Sequence, residues 1–182
     1  VGRAYGHLRV LSRQEDGRFH TLHSLRLDSS IWALTFTPQA ELLCGTEGGQ
    51  IHLVDVRTGV TRHRPELTVR TRGEIHSLAF TGNTLLVGQC DTSVADGTRG
   101  YGHLHAISWP DGQLELAPTD FWGVVDAVIP VDDGKGLLVS KNRMECPAGS
   151  PDRYAPCLLD FGYPDLGHHT ILTPEALAAA VW

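Results

Sequence analysis

Three short apolar runs recur along this 182-residue chain at nearly constant spacing, and that period constrains the fold more than any single motif. They read IWALTF from Ile31, IHSLAF from Ile75 and VDAVIP from Val125, 44 and 50 residues apart. About eleven residues into each unit a double-leucine run follows, LLCGT at Leu42, LLVGQ at Leu85 and LLVSK at Leu137, spaced 43 and 52 apart. A third signal, a strand closed by a tight turn, occurs four times: GHLRVLSRQEDG to Gly17, GQIHLVDVRTG to Gly59, GHLHAISWPDG to Gly112 and CLLDFGYPDLG to Gly167. Asp-Gly, Thr-Gly and Pro-Asp turns between apolar alternations read as hairpins, because Gly supplies a positive φ and Pro pre-sets the first turn position. A weaker strand follows each turn: RFHTLHSLRL, VTRHRPELTV, QLELAP and HTILT.

The tetrapeptide YGHL, at Tyr5 and again at Tyr101, falls into place within this period. Its copies open the third strand of two units that lie two repeats apart. Each unit is four short antiparallel strands in about 43 residues, without helical periodicity. One small twisted sheet cannot cover both of its faces and must stack on like neighbours, and units of this length are characteristic of propeller blades. The expected fold is therefore all-β, a β-propeller segment of four-stranded antiparallel blades with about 14 strands. It divides into a half blade at 1–30 and blades at about 31–73, 74–123 and 124–172. The tail TPEALAAAVW, residues 173–182, reads as a short C-terminal helix, with Thr173 as N-cap, Pro174 at the first helical position and Glu175 in the first turn.

From residue 6 to about 172 the chain resembles a divergent WD-repeat β-propeller. The best-matched unit is IWALTFTPQAELLCGTEGGQIHLVDVRTG, with Val54-Asp55 where the namesake Trp-Asp would stand. The Trp of that dipeptide is missing from all four copies, the Asp recurs only as Asp55 and Asp160, and no Gly-His precedes a first strand. The resemblance implies that links between second and third strands emerge on the same face as the links between blades, around the mouth of a central channel. One such link is the short TEGGQ, whereas those at 89–103 and 141–157 are long. Insertions on one face of a repeat array usually mark the binding face. The candidate binding residues are thus Asp91, Asp96, Arg99, Tyr101, Arg143, Met144, Arg153 and Tyr154, which mix charge with aromatic and flexible apolar groups as interface centres do. The plainer alternative is surface loops that merely tolerate insertion.

Three and a half blades cannot close a ring, and open ends expose backbone edges and apolar faces. Either other blades on another stretch or chain complete the ring, or two copies pair; the absence of an initiator Met favours the former.

Chemistry leaves few marks. No G-x-S-x-G, P-loop, G-x-G-x-x-G or H-E-x-x-H occurs. The ten histidines show no spacing that converges three or four ligands on zinc, and Asp132-Asp133 before Gly134 fits turn chemistry better than calcium. No cofactor and no metal are expected. Cys44 and Cys90 sit in apolar runs as small buried hydrophobes; Cys146 and Cys157 could be joined. The net charge of −6 argues against a nucleic-acid partner, although residues 1–73 carry 10 Arg against 7 acids. Arg62, Arg64 and Arg70 read as the charged outer edge of a blade, where they discourage edge-to-edge aggregation. Neither a membrane span nor a signal peptide is visible, which points to a cytoplasmic location. The expected function is a protein–protein interaction platform, a scaffold or sensor of a larger bacterial protein or complex without catalysis of its own. The alternatives are a ligand-binding or enzymatic propeller whose site is completed by blades or a chain outside this sequence, and a purely structural half-ring.

Overall fold

A computed structural model describes residues 4–67, 73–91, 101–122, 124–132, 135–141, 157–160 and 169–171. Among them every regular element is a strand, apart from two single 3₁₀ turns at Ala4–Gly6 and Pro65–Leu67. The helical reading of 173–182 lies outside the described residues. No helix among the described residues is long and apolar enough to cross a membrane.

The strands form antiparallel sheets in chain order. The first sheet pairs β1 (His7–Arg13) with β2 (Phe19–Arg26). The second runs β3 (Ile31–Phe36), β4 (Leu42–Thr46), β5 (Ile51–Val54) and β6 (Thr61–His63), each paired with the next. The third repeats the order with β7 (Glu74–Thr81), β8 (Thr84–Asp91), β9 (Tyr101–Ser108) and β10 (Leu114–Trp122). The fourth holds β11 (Val124–Asp132), β12 (Lys135–Lys141), β13 (Cys157–Asp160) and β14 (His169–Ile171). The first strands β3, β7 and β11 lie beside one another, so the four-stranded sheets stack rather than merge. All-β antiparallel sheets arranged in this way are compatible with part of a propeller.

Stacking explains the difference between first and second strands. All five residues of β4 are buried, because their side chains leave alternately toward the two neighbouring sheets. Leu43 joins Ala33, Ile51, Leu53, Ile75, Leu78 and Leu85 in a core between the second and third sheets. Leu42 and Cys44 turn the other way, into a core with Leu8, Leu27, Ile31 and Val54 against the first sheet. Burial pushes the Cys44 thiol up to about 12, so it is an inert part of that core at neutral pH. Gly45 has no room for a side chain: a Cβ there would run into Ile75, which brings the second and third sheets into close approach.

Hairpin turns close as the sequence suggests. After β5, Gly59 adopts φ 73° and donates to Asp55 O at 2.8 Å, while Asp55 N donates to Val60 O at 3.0 Å. After β9, Gly112 at φ 73° and Ser108 repeat those two bonds at 2.9 and 2.8 Å. Asp55 additionally accepts from the backbone N–H of Arg57 at 2.8 Å, and this bond foremost holds its carboxyl below the usual range. Asp55 therefore acts as a local turn cap.

Candidate binding face

Antiparallel pairing brings several chain segments to one end of the stack. Ile31 of β3 pairs with Thr46 of β4, so the start of each first strand lies at the same end as the link between second and third strands. In the second sheet this link is tight: Thr46 N donates to Gln50 O at 3.0 Å, and Gln50 N returns to Thr46 Oγ1 at 3.1 Å. Glu47 is left at the tip, exposed.

The decisive local feature is a bulge that recurs in all three first strands. The register slips between Ile31 and Ala33 in β3, between Ile75 and Ser77 in β7, and between Val125 and Ala127 in β11. The extra residues are Trp32, His76 and Asp126. A bulge inserts one residue opposite none, bends the strand and re-aims a side chain, and such irregularities favour functional sites. Trp32 remains 53% exposed, unusual for so large an apolar group on a strand between two sheets. Its ring lies 5.3 Å from that of His76, and His76 Nε2 lies 3.0 Å from Glu74 Oε2. The result is an indole surface beside an imidazole–carboxylate pair, with Asp126 at the corresponding backbone position of the next strand. Trp109, by contrast, is a buried packing group. The signal was present in the aligned runs IWALTF, IHSLAF and VDAVIP, whose second residues are these three.

At the end that carries Glu47 lies a polar cavity of about 420 Å³ lined by Tyr5, Arg26, Asp28, Ser29, Ser30 and Glu47. Its wall is fixed by local bonds: Tyr5 N donates to Ser30 Oγ at 3.3 Å, Gly48 N to Ser29 Oγ at 3.1 Å and Glu47 N to Ser30 O at 2.9 Å. Asp28 is felt by His52 on β5, whose pKa is nonetheless lowered, first by burial and then by neighbouring His63.

Of the residues singled out from the long links, Asp91 and Tyr101 are placed opposite each other in the β8–β9 register, at the base of the second link. Asp96, Arg99, Arg143, Met144, Arg153 and Tyr154 lie outside the described residues. Among the described residues no three His, Cys, Asp or Glu side chains converge as metal ligands. Arg64 is not a simple edge charge: its Nη2 donates to Pro110 O at 3.0 Å and its guanidinium lies 5.1 Å from the centre of the Trp109 ring.

No family model matches the chain, and no curated protein does. Solved structures do. The computationally designed Ika8 protein superposes with a TM-score of 0.55 at 16% identity, over 89% of this chain and 46% of the other. Saccharomyces cerevisiae Sqt1, a WD40 protein, superposes with a TM-score of 0.55 at 18% identity, over 76% of this chain and 36% of its own. The chain thus spans less than half the length of either. At such identities the likeness concerns the fold alone, an all-β antiparallel arrangement compatible with part of a propeller.

Proposed function

We propose that this chain is a segment of a WD40-like propeller, about three and a half blades, that serves as a protein-interaction scaffold through the end bearing the bulges. The observation that carries this reading is the repeated bulge presenting Trp32 beside His76 and Glu74. An exposed aromatic ring next to hydrogen-bonding and charged groups is the composition of an interface hot spot, and it demands no chemistry of its own. The paired ends of the long link, Asp91 and Tyr101, lie at the corresponding end of the third sheet. A cytoplasmic partner within a larger bacterial complex suits the buried cysteines Cys44 and Cys90. A ligand-binding propeller is the second reading, favoured by the polar cavity at Asp28 and Glu47.

The test places a photo-crosslinking residue at Trp32 and, as a control, at Phe19, an exposed aromatic near the opposite end. In cells of the source organism, the scaffold reading expects a discrete adduct from position 32 alone, lost on His76→Ala at unchanged melting temperature. Equal adducts from both positions, or none from position 32, would rule it out.

A further inference from the structure

Two indoles of this chain sit in opposite circumstances. Trp109 is buried, and the Arg64 guanidinium lies over its ring at 5.1 Å while Nη2 donates to Pro110 O at 3.0 Å. Trp32 is about half exposed, and among the described residues no cation lies over its ring. Its neighbour is His76 of the adjoining sheet, with ring centres 5.3 Å apart and planes tilted by 35°, so one flank of the indole is walled.

That wall carries charge. His76 Nε2 lies 3.0 Å from Glu74 Oε2, and the two side chains are only 15% and 25% exposed. A carboxylate offers two oxygens, and the imidazole engages one of them.

These surroundings select the chemistry of a guest. An apolar side chain laid over Trp32 would strip water from the Glu74 carboxylate without replacing its hydrogen bonds, which is costly. An anion would meet the same carboxylate with like charge. A cation answers both features, because the indole face and the carboxylate each attract it. Of the two long cationic side chains, arginine fits better. Its guanidinium is flat enough to stack on an indole, sheds water readily and forks its N–H donors toward a carboxylate, whereas the lysine ammonium is a compact, strongly hydrated point charge. Arg64 over Trp109 is the same pairing made within the chain.

We propose that Trp32, His76 and Glu74 form a receptor for an arginine side chain of the partner. The guanidinium stacks on the Trp32 ring and donates to the Glu74 carboxylate, and His76 positions that carboxylate and closes one flank. The inference rests on the reading of the bulged end as an interaction face, and it adds what the partner presents there.

The probe is the capped tripeptide acetyl-Gly-Arg-Gly-amide, titrated into the full chain. The readout is the indole N–H signal of Trp32 in nitrogen–proton correlation NMR, identified as the one that Trp32→Phe removes. This signal should shift to saturation with the arginine peptide. Lysine in place of arginine should bind about threefold more weakly. Citrulline, which keeps the shape of the side chain without its charge, should bind about tenfold more weakly. Glu74→Gln should lower the affinity for arginine about tenfold at an unchanged melting temperature. Should that variant unfold, the citrulline comparison on the unaltered chain decides.

The proposal is overturned if Trp32 does not respond to the arginine peptide, or if arginine and citrulline shift it equally. It is also overturned if Arg99→Ala, Arg143→Ala or Arg153→Ala raises the affinity for the peptide, since an arginine of this chain is then the occupant. A crosslink from position 32 without an arginine response leaves a scaffold whose partner presents other chemistry. An arginine response without a crosslink keeps the receptor and removes the scaffold reading.

Discussion

The two faces of the second sheet meet their neighbours in different ways. Toward the third sheet the contact is closed. Gly45 lets Ile75 in, and Trp109 is buried at one end of the junction, its indole N–H donating to Gln39 Oε1 at 2.9 Å. Phe80 meets that indole edge-on at 5.6 Å and Arg64 lies over it, so strands from two sheets share one aromatic group. Toward the first sheet the contact closes only at Leu8, Leu27 and Ile31, and Leu34 and Phe36 are left in an open groove. The same alternating strand thus carries a finished junction on one side and an unfinished one on the other. What differs is the number of strands opposite, not the character of the residues.

Substitutions should separate the two junctions. The largest effect is expected from Ile75→Ala: the side chain is fully buried where the second and third sheets come closest, and truncation should cost about 2–5 kcal/mol in urea unfolding. Trp109→Phe keeps the ring but removes the bond to Gln39 and weakens the Arg64 contact, with an expected loss of about 1–2 kcal/mol by the same measurement. If Trp109→Phe proves neutral, the closed junction owes its stability to aliphatic packing alone.

Acid should act more gently, through the outer strands. The fold favours neutral His52, by burial first and then by the repulsion of His63, so its native pKa is below the ordinary 6.5. An unfolded chain therefore binds this proton more readily. The contribution of His52 is fully present above pH 6.5 and is lost as pH falls below it toward the native value. Melting temperature should decline over that interval, and His52→Gln should flatten the decline. The smallest effect belongs to the open junction: Phe36→Ser should change stability by less than about 0.5 kcal/mol while improving solubility. A loss comparable to that of Ile75→Ala would mean that Phe36 is already packed, and the contrast between the junctions would disappear.

How far the sequence alone could be read depends on the range of the interactions involved. Strand existence, order and turn chemistry are local: Gly59 and Gly112 must sit where a positive φ is needed, and runs such as LLCGT announce themselves by composition. The link read at 89–103 does join two paired strands, but β8 and β9 run on to Asp91 and Tyr101, a strand extension that the sequence did not reveal. Nor was the aim of a side chain legible. Trp32 and His76 meet because two bulges, 44 residues apart, each shift a strand by one residue, and a shift that small reverses which face a side chain occupies. Arg64 likewise reads as an edge charge until the third sheet brings Trp109 and Pro110 within reach. The sequence by itself determined the periodic strands and the all-β class, since backbone preferences and hydrophobic alternation act over a few residues. Only the tertiary structure decided which apolar residues became core and which stayed in view, as buried Leu78 and its exposed counterpart Leu34 show, because burial depends on what another segment brings to the opposite side.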